Sequence, residues 1–138
     1  MSGYLLDTHY WLWFQMGNAQ RLPPVARDQL IAWQSGRELY LSATSVWEVA
    51  RLAADGHVDL GTSVDAFVAE AMRDGGLQVV QLSTGILIES TRLPGDLHRD
   101  PADRLLAATV REHNLTLVTR DRELLRYGRR GHLRALAI

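Results

Sequence analysis

Four acidic residues of this sequence lie at the end of a predicted strand or in the first turns of a predicted helix, where chemistry is commonly placed in α/β proteins. They are Asp7, Glu48, Asp103 and Asp121. Carboxylates that crowd into one cleft repel one another strongly unless a cation neutralises them. The sequence has no cysteine and no His-x-x-x-His pair, so oxygen ligation of Mg²⁺ or Mn²⁺ is favoured over a zinc site. Because Mg²⁺ usually keeps positions for water and substrate phosphate, the pattern favours phosphodiester hydrolysis.

Helix capping is a simpler explanation of each acid taken alone. Ser45 and Glu48 have the spacing of a capping box. Asp100 and Pro101 have the residue types of an N-cap followed by the first helical position, and Asp121 is able to cap a short helix of its own. Capping does not explain why each of these helices follows a strand at the same edge of one sheet. We therefore expect the acids to converge.

The composition removes several classes of enzyme. All fifteen basic residues among the 138 are arginine, against sixteen acids, for a formal net charge of -1. Without lysine there is no P-loop phosphate site and no Schiff base, and without cysteine there is no disulfide or thiol nucleophile. No apolar stretch reaches the ~18 residues of a membrane span, and the first residues lack the basic region of a signal peptide. These features predict a cytoplasmic protein without a membrane partner.

Apolar runs and amphipathic stretches alternate along the whole chain. Strands are predicted over residues 4–6, 39–41, 77–82, 115–119 and 133–138. Helices are predicted through residues 11–14, over 25–34, from Ser45 onward, and over 64–72, 84–91, 101–113 and 122–127. This alternation predicts one α/β domain over residues 1–138, with a mostly parallel sheet of about five strands covered on both faces.

The four acids lie in sequence blocks that together resemble one family. The blocks are Leu5-Leu6-Asp7-Thr8-His9, Ser42-Ala43-x-Ser45-x-Trp47-Glu48, His98-Arg99-Asp100-Pro101-x-Asp103-Arg104 and Leu117-Val118-Thr119-Arg120-Asp121. Their order and content resemble PIN-domain proteins, above all the ribonuclease toxins of VapBC-type type II toxin–antitoxin pairs. The resemblance implies a three-layer α/β/α fold and runs from about residue 4 to residue 127.

The resemblance also implies a mechanism and partners. Asp7, Glu48 and Asp103 match the three principal acids of the family, and Asp121 matches the fourth. Together they would hold one or two Mg²⁺ (Mn²⁺ being an alternative) for endoribonuclease cleavage that leaves a 5′-phosphate. Homodimerisation is expected, and so is inhibition by a cognate antitoxin whose flexible segment occupies the acidic cleft.

Residues beside the four acids have supporting roles in this interpretation. The hydroxyls of Thr8 and Thr119 are candidates to orient a water at the metal site, or simply to satisfy backbone groups. Asp100 is either a cap or a support for the site, and Arg104 either pairs with an acid or contacts phosphate. His9 and His98 are candidate phosphate contacts.

The C-terminal half carries the arginine excess. Residues 1–69 hold four arginines against seven acids, whereas residues 70–138 hold eleven arginines against nine acids. The excess is either a solvated face or a stripe that faces phosphate. The candidates for RNA-backbone contact are Arg120, Arg122, Arg126, Arg129, Arg130 and Arg134. Among the tryptophans, Trp13 and Trp47 are predicted to lie in the core and Trp11 to be exposed.

Two other functions fit the same residues. One is a catalytically inactive binding module that keeps the fold as a scaffold, although such a protein would be expected to lose some of the acids. The other is a Mg²⁺-dependent enzyme with another substrate. The missing lysine counts against a phosphatase, and the small size counts against a flap-type DNA nuclease.

Overall fold

Five short strands and seven helices alternate along the chain in a computed structural model, which describes residues 3–138. The strands are β1 (Tyr4–Leu6), β2 (Leu39–Ser42), β3 (Gln78–Val80), β4 (Thr116–Val118) and β5 (Arg134–Leu136). The helices are α1 (Thr8–Gln15), α2 (Pro24–Ser35), α3 (Ala43–Ala54), α4 (Val64–Met72), α5 (Thr84–Glu89), α6 (Pro101–His113) and α7 (Arg122–Arg129). A 3₁₀ turn follows α4 at Arg73–Gly75.

The strands form one parallel sheet in the order β3-β2-β1-β4-β5. The N-terminal strand β1 is central: Leu5 pairs with Tyr40 of β2 on one side and with Leu117 of β4 on the other. The strand order therefore reverses around β1. In open α/β sheets ligands bind beyond the carboxyl ends of the strands at such a reversal, and Asp7 lies there.

Each face of the sheet is covered by helices. Leu6 and Leu41 lie in one apolar cluster with residues of α1, α2, α3 and α4. Leu5 and Leu117 lie in a second cluster with residues of α5, α6 and α7. Neighbouring strand residues point to opposite faces, so β1 contributes one leucine to each cluster. The result is the expected three-layer α/β/α arrangement.

Capping residues explain which helix boundaries agree with the sequence prediction. The bounds of α4 and α6 match it, with Ser63 and Asp100 capping their first turns. The predicted start of α3 at Ser45 is wrong, because β2 leads directly into the helix and the Ser42 hydroxyl accepts from the Thr44 amide. Ser45 is buried inside the first turns of α3, so Ser45 and Glu48 do not form a capping box.

Two tryptophan predictions are also wrong. Trp11 is fully buried in the core, and its indole N–H donates to Gln15 on the same helix. Trp47 is 54% exposed, because Thr44, Ser45 and Val49 occupy the inward face of α3. Trp13 is half-buried.

The longest helix, α6, has thirteen residues. No helix within residues 3–138 is long and apolar enough to cross a membrane.

Candidate active site

The four predicted acids meet in one cleft at the carboxyl edge of the sheet. The cleft has a volume of about 500 Å³ and also contains Asp100. Its remaining lining residues are Thr8, His9, Tyr10, Trp13, Arg21 and Arg120. The acids therefore come from four separate segments of sequence, and the fold brings all of them to one place.

Asp7 directly follows β1 and is held by Thr8, the first residue of α1, and by Thr119, which follows β4. Its Oδ1 accepts from the Thr8 amide at 2.7 Å, and its Oδ2 accepts from the Thr119 hydroxyl at 2.7 Å. Burial raises the pKa of Asp7, and the two hydrogen bonds only partly oppose that rise. The Thr119 hydroxyl also accepts from the Asp121 amide at 3.0 Å, so one side chain links two of the acids.

Glu48 is positioned by a short chain of hydroxyls. The Thr8 hydroxyl donates to Glu48 Oε1 at 2.6 Å and lies 2.8 Å from the Ser45 hydroxyl. Because Thr8 gives its one proton to Glu48, Ser45 donates to Thr8. Burial raises the pKa of Glu48, and the negative charge of Asp7 raises it further. Ser45, predicted as a helix cap, thus helps to position Glu48 through Thr8.

Asp103 shows the strongest electrostatic effect of the cleft. Burial, together with the negative charges of Asp100, Asp7, Asp121 and Glu48, raises its pKa from 3.8 to about 7. All four neighbours act on Asp103 with the same sign. Such a group of carboxylates is stable in the ionised form only when positive charge lies among them.

The donor set fits a divalent cation. The acids offer carboxylate oxygens, which are the ligands that Mg²⁺ and Mn²⁺ prefer. Carboxylate oxygens of Asp103 and Asp121 lie within 4.8 Å of each other, which is close enough for one ion. The electrostatic repulsion between Asp103 and its neighbouring acids is a second indication of a cation site, because a bound cation would neutralise that repulsion.

Two of the acids cap helices as well as lining the cleft. Asp100 accepts from the Ala102 amide at 3.0 Å at the start of α6, and Asp121 accepts from the Leu124 amide at 3.0 Å at the start of α7. Both side chains remain exposed. Capping and a place in the site are therefore compatible roles for the same side chain, and not alternatives.

Arg104 does not take either of its predicted roles. Its Nε donates to the Ser90 carbonyl at 2.8 Å, and its Nη1 donates to the carbonyls of Leu97 and His98 at 3.0 and 3.4 Å. The side chain is thereby directed to the loop that precedes α6. Arg104 fixes the path of that loop, and it is not among the residues that line the cleft.

Of the candidate RNA-binding arginines, Arg120 is the one that lines the cleft. Its guanidinium packs over the rings of Tyr10 and Trp13, and it donates to the Tyr10 hydroxyl and to the carbonyls of Arg21 and Ile138. These contacts engage the Arg120 guanidinium within the protein. Arg120 therefore holds one wall of the cleft together.

The other arginines of this series lie outside the cleft. Arg126 pairs with Glu123, Arg130 donates to the Asp96 carbonyl, and Arg134 donates to Asn114. Arg122 and Arg129 are exposed on α7.

Two further residues, Arg21 and His98, lie at the site without a clear signal in the sequence. Arg21, in the loop between α1 and α2, is exposed on the cleft wall, and its guanidinium has no partner within residues 3–138. His98, considered only as a phosphate contact, lies with its Nε2 3.1 Å from Asp103 Oδ2. Neither belongs to a periodic pattern or a helix cap, so periodicity and capping gave no indication of their positions.

The fold and the acidic cleft together define a PIN domain. The family model for the PIN domain matches residues 4–130, and the chain belongs to that family. It is 32% identical over 124 residues to Ribonuclease VapC22 of Mycobacterium tuberculosis (strain ATCC 25618 / H37Rv), covering 90% of this chain and 91% of that protein.

Solved structures show the same fold at lower sequence identity. DNA-bound VapBC from Salmonella typhimurium is similar with a TM-score of 0.71 and 20% identity, covering 99% of this chain and 98% of that one. VapBC2 from Rickettsia felis, bound to a DNA fragment from its promoter, has a TM-score of 0.71 and 15% identity over 100% and 99% of the two chains.

Proposed function

We propose that this chain is a Mg²⁺-dependent endoribonuclease that acts as the toxin of a type II toxin–antitoxin pair. The observation that carries the proposal is the convergence of Asp7, Glu48, Asp103 and Asp121 in one cleft, with the pKa of Asp103 raised to about 7. The similarity to Ribonuclease VapC22 over nine tenths of the chain supports the ribonuclease activity. The proposal takes residues 1–138 as one domain, since helices from both halves of the chain cover a single sheet.

The acids would hold the cation, and their hydroxyl partners would keep them in place. When bound, Mg²⁺ or Mn²⁺ supplies Lewis-acid activation of water and neutralises charge on the scissile phosphate. Thr119 restrains Asp7, and Thr8 restrains Glu48, through bonds of 2.7 and 2.6 Å. No nucleophilic side chain is required, which agrees with a sequence that lacks cysteine and lysine.

The basic and aromatic residues that line the cleft would receive the RNA. Arg21 presents at the cleft a guanidinium that has no partner in the described part of the chain, and it is suited to a phosphate oxygen. Trp13 and His9 also line the cleft, where an aromatic ring is able to stack against an unpaired base. A single-stranded segment whose phosphate crosses the cleft would contact the acids through the cation and these lining residues directly.

The cleft also suits inhibition by an antitoxin. A cluster of carboxylates whose pKa values are raised by burial and mutual repulsion would be stabilised by one inserted arginine from a partner. The similarity to VapBC structures supports a partner of this kind. Self-association is supported by Leu87 and Ile88, two adjacent apolar side chains that are exposed on α5, because exposed apolar surface of this kind commonly marks an interface.

The activity is tested with purified protein on total RNA. We expect cleavage with MgCl₂, none with EDTA, and none for Asp7→Asn. Asp28→Asn, at an exposed position on α2, is the matched control and should cleave as the unmodified protein does. Cleavage that persists in EDTA, or a wild-type rate for Asp7→Asn, would contradict the mechanism.

The toxin role and the dimer need separate tests. Expression of the chain alone should arrest growth, and co-expression of the neighbouring small open reading frame should relieve the arrest. A chain that cleaves RNA yet is harmless at high expression would retain the nuclease and lose the toxin role. Light scattering should give the mass of a dimer for the protein and that of a monomer for the double variant Leu87→Ser/Ile88→Ser; a monomeric parent protein would exclude the dimer.

A further inference from the structure

His98 contacts Asp103 directly, and the pattern of acids in the sequence does not predict this contact. Its Nε2 lies 3.1 Å from Asp103 Oδ2, and both side chains are mostly buried, with 29% and 18% of their surface exposed. Asp103 Oδ1 has no hydrogen-bond donor within residues 3–138. One oxygen of this carboxylate is therefore engaged by the protein, and the other is free for a ligand.

The tautomer of the imidazole follows from its second contact. The Asp100 amide donates to His98 Nδ1 at 3.2 Å. An N–H donor requires a lone pair, so Nδ1 carries no proton, and the proton of the neutral ring lies on Nε2. Nε2–H then donates to Asp103. The same arrangement leaves no lone pair on Nε2 for a metal ion.

The loop that carries His98 is tied to the helix that carries Asp103. Arg104 follows Asp103 on α6, and its guanidinium donates to the backbone carbonyls of Leu97 and His98. A third bond, to the Ser90 carbonyl at 2.8 Å, fixes the guanidinium itself. Neighbouring residues of α6 thus hold the histidine backbone and receive the histidine side chain.

We propose that His98 is a positioning residue for Asp103, held in place by Arg104. By donating to Oδ2, it fixes the orientation of the carboxylate and presents Oδ1 to the cation. Donors of this kind behind a ligating carboxylate commonly contribute strongly to metal affinity. The inference rests on the divalent-cation site proposed above, and it adds a residue to that site that binds neither the ion nor the RNA.

Calorimetric titration with Mn²⁺ alone tests the role without any substrate. His98→Ala should weaken Mn²⁺ binding by roughly 10- to 100-fold. His98→Gln, whose side-chain amide is able to donate from about the position of Nε2, should restore most of the affinity. His57→Ala, in the exposed loop after α3, is the matched control and should bind as the wild type does. Circular dichroism and the urea midpoint of each variant establish that it is folded.

Two results of this titration would overturn the proposal. Unchanged Mn²⁺ affinity in His98→Ala would show that the contact has no influence on the site. Equal losses in His98→Ala and His98→Gln would show that His98 itself ligates the ion.

A wild-type protein that binds no Mn²⁺ would count against the proposed cation site. In that case a metal-free measurement still tests the contact between His98 and Asp103. Long-range ¹H–¹⁵N correlation spectra of the imidazole should show the Nε2–H tautomer for His98 in the presence of EDTA. Asp103→Ala should shift those ring signals. An Nδ1–H tautomer, or ring signals that Asp103→Ala leaves in place, would exclude the contact.

Discussion

Replacing Asp103 by asparagine should stabilise the metal-free protein while it abolishes activity. Asparagine has nearly the same shape and still offers an oxygen to His98, but it carries no charge. The charge is the costly part, since burial and four neighbouring acids raise the pKa of Asp103 from 3.8 to about 7. At about 1.4 kcal/mol per pKa unit, ionising Asp103 in the metal-free fold costs roughly 4 kcal/mol.

The pH dependence has a definite sign. Between pH 3.8 and about 7 the folded protein keeps a proton on Asp103 that the unfolded chain has lost. Stability therefore falls as the pH rises through this window, and it levels off above about 7. The advantage of Asp103→Asn over the wild type should grow by roughly 2–3 kcal/mol between pH 5 and pH 8. At this chain length, each kcal/mol of added stability raises the Tm by roughly 3–5 °C.

Urea unfolding in EDTA at pH 5 and at pH 8 measures this difference. Asp28→Asn, on the exposed surface of α2, should show no such change between the two pH values. His98 also contacts Asp103, so the measurement is repeated in the His98→Gln background to separate the charge of Asp103 from any contribution of the imidazole. An advantage of Asp103→Asn that is equal at pH 5 and pH 8 would refute the reasoning. Saturating Mg²⁺ should reverse the order of stability, because it stabilises the wild type alone.

Three further variants separate the parts of the cleft. Thr119→Val removes the 2.7 Å bond to Asp7 and should weaken Mn²⁺ binding by roughly 10- to 100-fold in calorimetry. Arg120→Ala removes its packing on Tyr10 and its hydrogen bonds, and should lower the free energy of unfolding by about 2–3 kcal/mol in urea titration. Arg21→Ala should leave that free energy unchanged but weaken binding of catalytically inactive protein to single-stranded RNA, with the salt dependence reduced by about one phosphate contact. Equal losses of stability in Arg120→Ala and Arg21→Ala would contradict a structural role for Arg120 and an RNA-binding role for Arg21.

The sequence was most informative where local chemistry alone decides the structure. The bounds of α6 followed from Asp100 and Pro101, which have the residue types of an N-cap and a first helical turn. The convergence of the acids followed from the alternation of strands and helices, because parallel strands end at one edge of a sheet.

Predictions failed where a pattern had more than one solution. The α1 helix is aromatic or apolar on nearly every side, so its periodicity did not show that Trp11 faces the core. Both Ser42 and Ser45 are able to cap a helix, and the choice between them depends on where β2 ends. The roles of His98 and Arg104 depend on the path of the loop before α6, which no repeating pattern encodes.

The central position of β1 determines when the site comes into existence during folding. On one edge of β1, Tyr4 pairs with Leu39 of β2, which is near in sequence. On the other edge, Tyr4 pairs with Thr116 of β4, which is far away in sequence. Loop closure over such a separation is slow, since its entropic cost precedes any gain in contacts. Asp7 and Asp121 meet only after this pairing, so the cleft is complete only once β1 and β4 have paired. A partly folded chain would contain every acid of the proposed nuclease and yet be unable to cut RNA.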